Sequence, residues 1–139
     1  MTSCKDECEA LMSAVLPIAE QMLTEQGKLR PFGSTLSSSG RIVQVGGDAG
    51  AGAGAVDVDA AQLAREFEAS FRDGAQRGEL IATALVCARE GAQSAVLVHL
   101  DHRENYSIVV TFPYHFTAAG ELSIGDPFAA EGAHKIFEG

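Results

Sequence analysis

The chain has 139 residues, enough for one domain that buries a core without metals or disulfides, and hardly enough for two. An apolar share of 46% and a charged share of 21% exclude disorder as the default state. Ten basic against 19 acidic side chains leave a net charge of −9, which disfavours nucleic acid and anionic membrane surfaces and favours a basic partner.

The first element is a helix from about Asp6 to Gln26. Leu11, Met12, Val15, Leu16, Ala19, Met22 and Leu23 recur at helical steps on one face. Gly27 suits its end, and Pro17 is expected to kink it or divide it in two. Cys4 and Cys8 fall on one helix face, but no second Cys/His pair at metal-site spacing follows. With Cys87 the thiols number three, an odd count that points to a reducing compartment. The acidic start lacks the basic and apolar runs of an export signal, and no apolar run reaches the roughly 18 residues a bilayer needs. The expected location is the cytoplasm.

Phe32 to Leu36 and Arg41 to Val45 read as a hairpin around the turn Ser37-Ser38-Ser39-Gly40. Residues 46–56 form a Gly/Ala-rich loop. Its run Gly50-Ala51-Gly52-Ala53-Gly54-Ala55 matches the dinucleotide pattern G-x-G-x-x-G/A in form. Asp57 and Asp59, at the start of the next helix, would repel a phosphate, and the preceding strand belongs to a hairpin. No nucleotide or other cofactor is expected.

The second helix runs from about Asp59 to Arg77, with Leu63, Ala64, Phe67, Phe71 and Ala75 as its apolar stripe. Strands follow at Glu79 to Arg89, Gln93 to His102 and Tyr106 to Tyr114. A three-residue turn, Arg103-Glu104-Asn105, sets His102 opposite Tyr106, Leu100 opposite Ile108, Val98 opposite Val110 and Val96 opposite Phe112. A two-residue turn at Glu90-Gly91 would set Leu85 opposite Val96 and Ile81 opposite Leu100. Leu85, Val98, Ile108 and Val110 are then expected to be buried on one face. The other face would carry Leu80, Ala82, Ala84, Val86, Ala95, Leu97, His99, Asp101, Ser107, Val109 and Thr111. Residues 117–139 read as an irregular C-terminal segment with a short edge strand at Glu121 to Gly125, and with Phe128, Ile136 and Phe137 as anchors.

The expected architecture is a single α+β domain, a five-stranded antiparallel sheet with two main helices in the order α-β-β-α-β-β-β. That order resembles the profilin-like and roadblock-like folds. The stretch Phe32-Gly33-Ser34-Thr35-Leu36-Ser37-Ser38-Ser39-Gly40-Arg41-Ile42-Val43 looks like the first roadblock hairpin. The chain also resembles small bacterial proteins that combine Pro31-Phe32-Gly33, Ala84-Leu85-Val86 and Gly125-Asp126-Pro127-Phe128. The resemblance implies a dimerising or scaffolding module and carries no catalytic residues. A clear final long helix, usual in roadblock proteins, is missing.

Candidate chemistry concentrates at His99 and Asp101, which share a strand face, with Ser107 opposite Asp101. They lack a nucleophile elbow and a glycine-built oxyanion site. His102 points to the other face, so it does not pair with His99 as a chelate. His115 and His134 fall in loop or tail segments. Cys87 reads as a small buried hydrophobe, and Tyr106, Phe112 and Tyr114 as core.

Two functions fit. The first is a non-enzymatic interaction module, a homodimer or an immunity-type inhibitor of a basic partner, with no catalytic or metal site. The second is a small-molecule- or metal-binding protein, or an enzyme, centred on His99 and Asp101. A pocket beside those residues favours the second, and a flat repeated face the first.

Overall fold

The computed structural model describes residues 4–26, 29–45, 60–89, 94–104, 106–132 and 136. Its elements are α1 (Cys4–Gln26), β1 (Phe32–Ser37), β2 (Ile42–Val45), α2 (Ala60–Gln76), β3 (Leu80–Arg89), β4 (Ala95–His102), β5 (Tyr106–Phe116), β6 (Leu122–Ile124) and β7 (Phe128–Glu131). The Gly/Ala-rich loop with its dinucleotide-like run, Asp57 and Asp59 after it, His134 and Phe137 lie outside the described residues. None of the described helices is long and apolar enough to cross a membrane.

The protein is α+β, with a large antiparallel sheet in the order β2-β1-β3-β4-β5-β6 and β7 also paired to β5. The expected five strands are therefore too few. β6 and β7 both run antiparallel along the same edge of β5, and the register steps by one residue between them. They are two halves of one edge strand interrupted by a bulge at Gly125–Pro127. The break lies opposite Pro113, whose carbonyl accepts the Gly125 N–H at 2.7 Å. Proline has no N–H to return, so the ladder stops there. Part of the C-terminal segment expected to be irregular is thus strand.

The two helices cover opposite faces of the sheet. Cys8, Leu11, Val15, Ala19, Met22 and Leu23 of α1 are buried against Phe32, Leu36, Ala82, Ala84, Val86, Val96, Val98, Leu100, Val110 and Phe112. Phe71 of α2 packs with Leu85 and Ile136 on the other side, flanked by Phe67, Ala75, Cys87 and Val45. Pro17 does not divide α1, which runs unbroken through it. Both Pro17 and Ser13, the residue whose carbonyl loses its helical donor to the proline, are exposed, so the missing bond falls on the solvent side of the helix and not in the core.

The β4–β5 pairing follows the expected register, with Leu100 opposite Ile108, Val98 opposite Val110 and Val96 opposite Phe112. The β3–β4 pairing does not. Leu85 stands opposite His99, three positions from the expected Val96. An odd displacement turns every side chain of the strand over. Leu85 therefore leaves the face of Val98, Val110 and Ile108 and meets α2, while Ala82, Ala84 and Val86 face α1. The cause is the connection, which runs from residue 90 to 94 because the paired residues nearest to it are Arg89 and Ala95.

Gly33 of β1 faces α2 opposite Leu85. A Cβ there would collide with the Ala84 carbonyl oxygen and lie 3.0 Å from Phe71 Cζ. The missing side chain is what lets the Phe71 ring lie on the sheet.

Candidate functional site

The corrected register assembles a buried polar row on the α2 side. Thr35 of β1 pairs with Thr83 of β3, Thr83 with Asp101 of β4, and Asp101 with Ser107 of β5. All four are buried in the middle of the sheet. Thr83 Oγ1 has no hydrogen-bond partner among the described residues. Leaving a buried hydroxyl so costs about 1–3 kcal/mol. His99 and Asp101, two apart on β4, lie on this same face, as the spacing implies.

α2 packs over β1 and β3 and leaves the β4–β5 side to a cavity of about 200 Å³. His99, Asp101, Ser107 and Val109 line it from the sheet, Leu85 from β3, Glu68 from α2 and Ile136 from the C-terminal segment. Ile108, Glu131 and Gly132 complete the lining at the sheet edge. Gly132 N–H donates to the Ser107 carbonyl at 3.0 Å, which ties the chain to β5 as it leaves β7. A Cβ on Gly132 would collide with Ser107 Oγ, so the hydroxyl packs directly against the glycine.

This geometry suits binding better than proton relay. Acyl transfer needs a histidine between the hydroxyl and the carboxylate. Here Asp101 takes the middle place, directly across from Ser107, while His99 stands opposite Val109. Ser107 is moreover held against Gly132. No group of three or more His, Cys, Asp or Glu among the described residues has the geometry of a metal site.

No protein-family model, curated protein or solved structure matches the chain. The site therefore stands on its own geometry.

His102 lies on the opposite face, as expected, and has a structural role. Its ring is buried, and Nδ1 accepts the Glu104 N–H at 3.0 Å. The proton on Nε2 is then donated to Glu7 Oε1 of α1 at 2.8 Å. Cys8, one residue on, is buried beneath α1. Burial, with Cys4, Asp101 and Glu7 nearby, pushes its thiol up to about 12. Burial also raises Tyr106 above its ordinary value. His115 is exposed, and Cys87 is half-buried beside α2 instead of fully enclosed.

The sign of the Cys8 shift gives a testable consequence. The folded state holds the thiol proton up to about pH 12, whereas the unfolded chain releases it near 9.0, the ordinary value for a thiol. Stability is thus unaffected by this group below about pH 9 and falls as pH rises from there toward 12. Denaturant titrations of the wild type and of Cys8→Ala across that range should show a smaller alkaline loss in the variant. Equal slopes would refute the assignment. At pH 8, alkylation of the native protein should modify half-exposed Cys4 and spare Cys8.

Proposed function

We propose that this protein binds a small molecule in the cavity beside His99 and Asp101. The observation that carries the reading is that His99, Asp101 and Ser107 of neighbouring strands reach one concave space walled by Leu85, Val109 and Ile136. A few placed polar groups among apolar walls is the usual build of a ligand site. At about 200 Å³ the space lies below the roughly 300–1,000 Å³ of sites for drug-sized ligands, so its ligand has few heavy atoms. Asp101 and His99 orient the polar end, and no reaction is assigned to them.

The other reading, a protein partner or a second copy of the chain, drew on a bare second sheet face. That face carries α2 and Ile136. What supports the reading now is the exposed pair Ile42 and Val43 on the edge strand β2. The likeness to roadblock-like modules supports it by element order alone.

A fragment library screened by amide-shift perturbation tests the ligand reading. Ligands of fewer than about a dozen heavy atoms should shift Leu85, His99, Asp101 and Val109 together, in a saturable way. Val109→Phe, which fills the cavity, should abolish those shifts, and Asp101→Asn should weaken binding of ligands with donor groups. A library that leaves these residues unmoved, or a Val109→Phe variant that binds as the wild type does, would sink the proposal.

A further inference from the structure

On the other face of the sheet, the C-terminal half of α1 and the bulged edge strand do not close on each other. Between them lies a second cavity of about 180 Å³. Leu16 and Leu23 wall it from the helix, Val96 and Phe112 from β4 and β5, and Ile124 and Pro127 from the edge. Leu23, Val96 and Phe112 are buried, so the floor belongs to the core. The room comes from two small residues. Ala19 puts only a methyl between Leu16 and Leu23, and Gly125 puts no side chain at the bulge. The bulge in turn follows from Pro113, as described above.

The six walls are hydrocarbon, and the one charged residue on the lining is Glu20, which is exposed to solvent. A hydrocarbon-walled space offers water no partners. An enclosed hydrocarbon cavity of roughly 150 Å³ accepts benzene, and this space, partly open to solvent, has room for a group of that size. Size and chemistry together select the occupant: an apolar group the size of a single ring fills the interior, and a cationic end meets Glu20. The net charge of −9 favours the same sign of ligand.

We propose that this cavity is a binding site for a small aromatic amine, its ring between α1 and the sheet edge and its ammonium beside Glu20. The site is separate from the cavity beside His99, which lies on the α2 face, so either holds if the other fails.

Methyl-labelled wild-type protein titrated with phenethylamine, toluene and phenylacetate provides the test. Phenethylamine and toluene should shift the methyls of Leu16, Leu23, Val96 and Ile124 in a saturable way. The amine should bind about threefold more tightly than the carboxylate, an ordinary margin for an exposed charge pair. Glu20→Gln should remove that margin and leave toluene binding intact. Ala19→Leu fills the space and should weaken all three probes about tenfold or more. Should Ala19→Leu fail to fold, Ile124→Phe fills the same space from the sheet side and serves in its place. Absence of saturable shifts in the wild type overturns the site, as does unchanged binding in the folded filling variant. A carboxylate that binds as tightly as the amine overturns the assignment of ligand class.

Discussion

Gly33→Ala should lower stability by about 3 kcal/mol, the upper part of the range for overpacking a well-filled core. The added methyl meets two obstacles, the Ala84 carbonyl oxygen and the Phe71 ring. The first is backbone in the strand beside it, paired through Ser34 with Ala84, and it cannot swing aside. The second is the anchor of α2, nearly fully buried. Relief requires β1 and β3 to separate or α2 to lift. Lifting α2 also disturbs Leu85 and Ile136, which wall the cavity beside His99. Chemical denaturation gives the stability change, and at this chain length the midpoint temperature should fall by about 10 °C or more. A loss under about 0.5 kcal/mol, the scale of ordinary surface substitutions, would mean that the helix does not sit on this glycine. A second readout separates packing from backbone strain. Gly33→Ala should cost less in a Phe71→Leu background than in the wild type if the ring is one of the two obstacles, and the same in both if the carbonyl alone decides.

That position also shows where the amino-acid sequence is informative and where it is silent. The α1 stripe was legible because seven apolar residues repeat at helical spacing, and five of them, Leu11, Val15, Ala19, Met22 and Leu23, are buried. The β4–β5 register was legible because a short turn leaves only one pairing that keeps apolar residues together. The same rule misplaced β3, since Glu90-Gly91 looks like a tight turn whereas the connection extends to residue 94. One wrong length hid the polar row. With Leu85 set opposite Val96, Thr83 is not the neighbour of Asp101, and neither threonine draws notice. The pair His99 and Asp101 survived the error because it rests on spacing within one strand. Glu68, Gly132 and Ile136 reach the cavity only through the placement of α2 and the edge strand, which no local pattern encodes. β7 was missed for a related reason: Phe128–Glu131 has no alternation of its own and is a strand only because β5 offers an edge.

The largest effect from a polar group should come from His102→Ala. The His102 side chain is 2% exposed and serves two elements at once, the first turns of α1 through Glu7 and the β4–β5 turn through the Glu104 amide. Removing it leaves a space beneath α1 and strips both partners. The combined loss should be about 2–4 kcal/mol, from the cavity and from the orphaned amide. Glu7→Gln makes the instructive comparison. The Glu7 side chain is 24% exposed, so water re-solvates what the histidine no longer meets, and glutamine can still accept from Nε2. That substitution should cost about 1 kcal/mol or less, as for a partly exposed pair. Hydrogen exchange then distinguishes a shared scaffold from a simple loss of volume. The Glu104 amide should exchange much faster in His102→Ala and stay protected in Glu7→Gln, because only the first variant removes its acceptor. Equal exchange in the two variants would mean that the ring does not hold the turn. Equal stability losses would place the energy in the hydrogen bond to Glu7 instead of in the buried ring. The expected ranking, a large loss for the ring and a small one for its carboxylate partner, follows from burial: the group that cannot reach water is the one whose partners cannot be replaced.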